Sequence, residues 1–142
     1  MKKFKILGII ALVCALVIVN VLSVFASEII PLYDNCNWCK TSFEVSNGEA
    51  SVGVDYKGIE GSFSQAKVTV KIQKKFLGVF WNTVDIGEPN NEWVVYSTNV
   101  RDYLEKTFPI TESGTYRAMF TVEFSGIDGS VDKIEDKLEY KY

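Results

Sequence analysis

Histidine is absent from all 142 positions. That removes the side chain most often used as a general base, and with it the usual serine or cysteine nucleophile arrangements. Cysteine is scarce, at Cys14, Cys36 and Cys39. Two cysteines without histidine cannot close a four-ligand structural zinc site, so no metal is expected. Acidic residues cluster at 85–92 and 128–136, but neither cluster has the Asp-x-Asp-x-Asp-Gly spacing of a calcium loop, and both read as solvated turns. A glycoside-hydrolysing carboxylate pair needs a cleft between its two acids, for which one small domain has little room. The sequence therefore predicts neither an enzyme nor a cofactor.

What the chain does have begins with an address. Lys2, Lys3 and Lys5 precede an apolar run over residues 6–19, broken at Asn20, and Val24-Phe25-Ala26 sets small residues where a signal peptidase reads. Residues 1–26 are expected to be a removable export signal, which makes the protein secreted. The alternative is an uncleaved anchor holding the protein outside the membrane, because residues 6–25 interrupt 20 positions only with Asn20 and Ser23. A lipid anchor at Cys14 is disfavoured, since Leu12 and Val13 put no small residue beside it. Cleavage after Ala26 would leave 116 residues, enough for one sandwich domain. The three lysines leave with the signal while all 18 acids stay, taking the net charge from −3 to −6. That argues against nucleic acid and anionic membrane surfaces as partners, and against stable membrane association once the signal is gone.

From Thr41 onward, short alternating apolar segments are separated by turn residues at the spacing of an all-β sandwich. Strands are predicted at 41–45, 49–57, 65–75, 79–86, 92–97, 103–110, 115–125 and 131–141. Asn47-Gly48, Gly58 with Gly61, Gly78, Pro89-Asn90-Asn91, Gly114 and Asp128-Gly129 supply the reversals. Residues 99–108 could form a short helix capped by Asn99. The alternation of Leu104, Lys106, Phe108 and Ile110, with Pro109 suited to an edge, favours a strand.

The clearest alternation is Tyr116, Ala118, Phe120, Val122 and Phe124 against Arg117, Thr121 and Glu123. Directly opposed residues in an antiparallel pair share a face, so this even-numbered set must meet Ile134, Leu138 and Tyr140. The intervening loop must then hold an odd number of residues, three or five, with Gly129 left-handed. Asp136 interrupts the inward row, and a bulge or an open end of the sandwich is expected there.

Glu112-Ser113-Gly114-Thr115-Tyr116-Arg117-Ala118 resembles the acidic-x-Gly-x-Tyr-x-Cys pattern of immunoglobulin-like domains, with Ala118 in the cysteine's place. The resemblance implies a structural tyrosine corner at Tyr116. Three pieces resemble a family of small secreted Gram-positive bacterial proteins of uncharacterised function. They are Asn47-Gly48-Glu49-Ala50-Ser51-Val52, the run Val68-Thr69-Val70-Lys71-Ile72-Gln73-Lys74-Lys75 followed by Trp81, and Gly114-Thr115-Tyr116-Arg117. That resemblance implies export and a β fold, and transfers no catalytic or binding residue. This chain departs from the pattern in its acidity and in Cys36-Asn37-Trp38-Cys39.

The expected architecture is thus a signal at 1–26, a tail at 27–40 carrying the C-x-x-C, and at 41–142 an immunoglobulin-like or fibronectin-like antiparallel sandwich of seven or eight strands. Outside the cell, Cys36 and Cys39 are expected to form a small local disulfide; the alternative is redox chemistry at the pair. Val79, Trp81 and Thr83 share one strand face and Phe80, Val84 and Ile86 the other. Trp81 is read by preference as core, and otherwise as a surface patch with Val79. Lys74-Lys75 reads as a solvated hairpin tip. The function expected is a secreted, non-enzymatic interaction domain whose partner is an extracellular protein or glycan. The alternatives are an extracytoplasmic thiol-disulfide protein and a membrane-tethered structural domain.

Overall fold

The computed structural model describes residues 33–142. The expected signal, its cleavage site and Cys14 lie outside the described residues. Eight strands follow one another: β1 Cys36–Ser46, β2 Glu49–Gly58, β3 Phe63–Phe76, β4 Phe80–Thr83, β5 Trp93–Ser97, β6 Arg101–Pro109, β7 Thr115–Gly126 and β8 Val131–Lys141. They form two antiparallel sheets, one ordered β1-β2-β6 and the other β4-β3-β7-β8, with β5 also on β3. This is an all-β sandwich, with β1, β2 and β6 in the places of immunoglobulin strands A, B and E, and β3, β7 and β8 in those of C, F and G.

The core follows from alternation. Ala50, Val52, Val54 and Tyr56 of β2 face Ala66, Val68, Val70 and Ile72 of β3 and Tyr116, Ala118, Phe120, Val122 and Phe124 of β7, all buried. Their odd-numbered neighbours on β3 and β7 lie outside the core. Aromatic rings close one end, where Phe124 sits edge-on to Tyr56 at 5.3 Å and Phe63 lies tilted beside both. Residues 101–109 are strand, as their alternation indicated, and Pro109 ends an edge that pairs only with β2.

The last hairpin pairs Tyr116 with Tyr140, Ala118 with Leu138 and Val122 with Ile134. Gly126 N–H donates to the Ser130 carbonyl at 2.8 Å, which leaves three loop residues with Gly129 at φ 86°. The expected parity holds. No bulge occurs at Asp136, which stands opposite Phe120 in unbroken register. Its carboxylate instead lies exposed at the open side of the sandwich, where the Thr41 hydroxyl of β1 donates to it.

Two boundaries differ from the sequence reading. The strand expected at 79–86 is only Phe80–Thr83, because β4 and β5 lie end to end on one edge of β3. β4 pairs with Gln73 to Phe76 and β5 with Ala66 to Val70, so residues 84–92 make an excursion between them. The excursion turns through a 3-10 segment, Pro89–Asn91, and is tied down by Lys71–Glu92 and Lys106–Glu88 ion pairs at 2.6 and 3.3 Å. The second difference is at the start. β1 begins at Cys36, so the C-x-x-C is built into a sheet and does not lie in a tail.

Candidate functional site

After the Lys74–Tyr116 pair, β3 parts from β7 and continues with β4 as a two-stranded ribbon beyond the end of the core. Phe76 opposes Phe80 and Lys75 opposes Trp81. The chain reverses through Leu77 at φ 50° and Gly78 at φ 71°, and the Val79 N–H donates to the Phe76 carbonyl at 3.2 Å. Two successive left-handed residues are what a type I′ hairpin turn requires, and asparagine followed by glycine is the pair that suits it. Leucine at the first position costs about 1–2 kcal/mol of backbone strain. The strain is matched by exposure: Phe76 is 54%, Leu77 75%, Val79 70% and Phe80 62% accessible. Four large apolar side chains, one held in a disfavoured conformation, form a contiguous cap on the tip. Exposed apolar clusters and strained residues are features that proteins in general keep at functional surfaces.

Trp81 stands behind the cap on the outer face of the sheet, half-buried. The core reading of Trp81 is therefore corrected: it shares the outer face of the sheet with Lys75, Gln73 and Arg117, the face turned away from β1, β2 and β6. Its ring is held by Arg117, whose guanidinium carbon is 4.2 Å from the centroid, and by the Lys75 ammonium at 5.3 Å. Arg117 also donates from Nε to Gln73 Oε1 at 2.7 Å. Glu139 is the cross-strand neighbour of Arg117, yet no carboxylate lies within ion-pair distance of Arg117 or Lys75 among the described residues. Two uncompensated cations thus collar the base of an apolar tip. Lys74 and Lys75 belong to β3 itself, Lys74 being paired with Glu112, and the tip is Leu77 and Gly78. Of the sequence candidates, Val79 and Trp81 share this hairpin, but Val79 lies in the turn. Phe76, Leu77 and Phe80 were missed, although six consecutive residues, 76–81, are apolar or glycine and straddle a turn.

Tyr116 is buried, and its hydroxyl donates to the Glu112 carbonyl at 2.6 Å, the geometry of a tyrosine corner. An open groove of about 440 Å³ lies beside it, lined in part by Lys74, Val84, Ile110 and Glu112. The Lys74 and Tyr116 groups there are already spent on Glu112.

The expected disulfide is not present: Cys36 and Cys39 are free thiols. A bulge at Asn37 shifts the β1–β2 register, so Cys36 opposes Gly58 and Cys39 opposes Tyr56, and both face inward. Same-face neighbours along a strand are about 6.6 Å apart, whereas a bridge brings β-carbons to roughly 3.5–4.5 Å. Burial first, then the Asp132 carboxylate, pushes the Cys36 thiol up to about 11. Burial, Cys36, Asp136 and Asp55 push Cys39 up to about 12. Both shifts favour the neutral thiol, which works against thiolate chemistry. Because both folded-state values are raised above 9.0, their contribution to stability is complete below that pH and is lost as pH climbs through the folded values. In the Tyr33–Tyr142 unit, iodoacetamide at about pH 8 should label the two cysteines much more slowly than in the denatured chain. Mass spectrometry against time checks this, and rapid native labelling would contradict the burial.

No family model and no curated protein matches the chain. The likeness to small secreted proteins therefore rests on the sequence pieces alone. Among solved structures, the chain is similar to wild-type OgpA from Akkermansia muciniphila, with a TM-score of 0.40 and 10% identity over 82% of this chain and 33% of that one. Catalytically inactive OgpA in complex with an O-glycopeptide gives 0.38 and 9% over 82% and 34%. The CARDB domain of the PF1109 protein from Pyrococcus furiosus, in complex with di-metal ions, gives 0.40 and 16% over 77% and 94%. The chain spans about a third of the length of OgpA. Likenesses this distant transfer no residue and no activity.

Proposed function

We propose that the chain is an exported, non-enzymatic interaction domain that engages its partner through the β3–β4 tip. The observation that carries this is the exposed cap of Phe76, Leu77, Val79 and Phe80 around a strained Leu77. Leaving four large apolar groups more than half exposed forgoes a large part of the roughly 1.5–3 kcal/mol that full burial of each would give, and a left-handed leucine adds strain that asparagine would relieve. Other large apolar side chains are exposed, among them Ile127, Val131 and Tyr96, but among the described residues Leu77 is the one left-handed residue that is neither asparagine nor glycine, so exposure and strain coincide at this tip. The extracellular address rests on Lys2, Lys3, Lys5 and the run to Ala26. The raised thiols of Cys36 and Cys39 weigh against the thiol-disulfide alternative.

Leu77→Asn with Val79→Thr should keep or raise the denaturation midpoint, since Asn-Gly suits the turn. The same change should abolish retention of labelled protein on material from the native extracellular milieu. Undiminished retention by the variant would move the contact surface elsewhere.

A further inference from the structure

Resting on this reading of the tip, we infer that its partner is a lipid surface, into which Phe76, Leu77, Val79 and Phe80 insert while Trp81, Lys75 and Arg117 sit at the headgroups. The cap is apolar on both sides of the ribbon. The Phe76–Phe80 pair lies on the face continuous with the core, Trp81 lies on the opposite face, and Leu77 and Val79 occupy the turn between. A projection that is apolar on every side suits hydrocarbon, which surrounds whatever enters it. The cap is also small. A stable protein interface takes about 20–30 residues a side, and four exposed apolar side chains fall far short of that.

The order along the ribbon matches the depth profile of a bilayer: aliphatic and phenylalanine side chains foremost, then the Trp81 indole with Lys75 opposite it, then Arg117. Lys75 and Arg117, lacking carboxylate partners within ion-pair distance, are positioned to meet lipid phosphates. Locally, Glu112 is engaged by Lys74 and Glu139 stands across from Arg117 without reaching ion-pair distance, so Lys75 and Arg117 remain as the free cations beside the tip. Screening confines the influence of more distant carboxylates to about 8–10 Å in physiological salt. Asn35 and the β7–β8 turn lie at the other end of β3, beside Phe63 and Gly126, and leave the tip unobstructed.

The test uses the compact unit Tyr33–Tyr142, which contains every buried core residue described, with vesicles of phosphatidylcholine alone or mixed with phosphatidylglycerol. Wild type should co-sediment with both and better with the anionic mixture, and brominated acyl chains should quench tryptophan emission in a manner lost in Trp81→Phe. Leu77→Asp with Val79→Asp should lower the bound fraction at least about tenfold, because carboxylates do not enter hydrocarbon. Lys75→Gln with Arg117→Gln should erase the preference for phosphatidylglycerol and its salt dependence while binding to phosphatidylcholine persists. Equal denaturation midpoints establish that the variants are folded. Failure of wild type to sediment with either vesicle overturns the lipid assignment, as does sedimentation that the aspartates leave unchanged. A dimer abolished by the aspartates would assign the tip to a second copy instead. If vesicles fail but retention on extracellular material still depends on Leu77 and Val79, the interaction reading survives without the lipid; if neither depends on the tip, both fall.

Discussion

Phe124→Ala should destabilise the domain by about 3–5 kcal/mol, the usual cost of deleting a fully buried aromatic ring. Phe124 has no exposed surface. It is edge-on to Tyr56, tilted against Phe63 and opposite Ala66 on β3, so its removal opens a void that both sheets line. Ala66 cannot grow to fill it, and the void is bounded by strand backbones fixed in their ladders. Against a total stability of about 5–15 kcal/mol for a domain of this kind, the loss is a large share. Urea unfolding followed by tryptophan emission measures it. A change below about 1 kcal/mol would mean that the β7 row does not form the centre of the core.

That row was legible in the sequence because a strand exposes its period. Tyr116 to Phe124 alternate without a break, so the face, the partner strand and the parity of the last loop followed from geometry alone, and the structure has all three. The helix alternative at 99–108 failed for the same reason: Leu104 and Phe108 fit a strand that pairs edge to edge with β2 and turns one face into the core. Trp81 was misread because a period tells which residues share a face, not whether another sheet covers that face. Alternation continues from β3 through the hairpin into β4, but the sandwich ends near Lys74 and Tyr116. Past that point Phe76 and Phe80, on the core side, have no opposing sheet to pack on, while Trp81 is on the outer side with Lys75 and Arg117. The tip was therefore visible as a run of apolar residues and invisible as a surface, since strand length relative to the opposing sheet is a tertiary quantity. The cysteines failed differently. A one-residue bulge at Asn37 turns both inward, and a bulge has no period to betray it.

Asn35→Ala should cost about 2–3 kcal/mol, more than most polar substitutions, because it strips a buried knot of its centre. Asn35 is fully buried. Its side chain donates to Ser130 Oγ at 3.0 Å and to the Phe124 carbonyl at 3.4 Å, and accepts from Ser62 Oγ at 2.7 Å. Its backbone is engaged as well, the N–H donating to the Asp132 carboxylate at 2.6 Å and the carbonyl accepting from Ile59 at 2.9 Å. One residue thereby ties the β2–β3 turn to the β7–β8 turn and holds the start of β1 between them. Gly126 is required beside it, because a β-carbon there would lie 2.7 Å from Ser130 Oγ and 2.6 Å from Asp128 Oδ1. Alanine at 35 removes one bond each from the Ser62 and Ser130 hydroxyls, which keep the Asp34 carbonyl and the Asp128 carboxylate, and leaves a gap where the buried amide stood; buried hydrogen bonds lost in this way are dearer than exposed ones. Nothing in residues 33–35 announced this, since a short polar stretch ahead of a strand reads as tail when its partners lie 24 to 97 positions away. Ser130→Ala should cost less, as the Asp128 carboxylate keeps the Ser130 N–H and Asn35 keeps Ser62. Chemical denaturation of the two variants beside wild type checks the order, and equal, negligible losses would show that the domain begins at β1 and that Asn35 only decorates it.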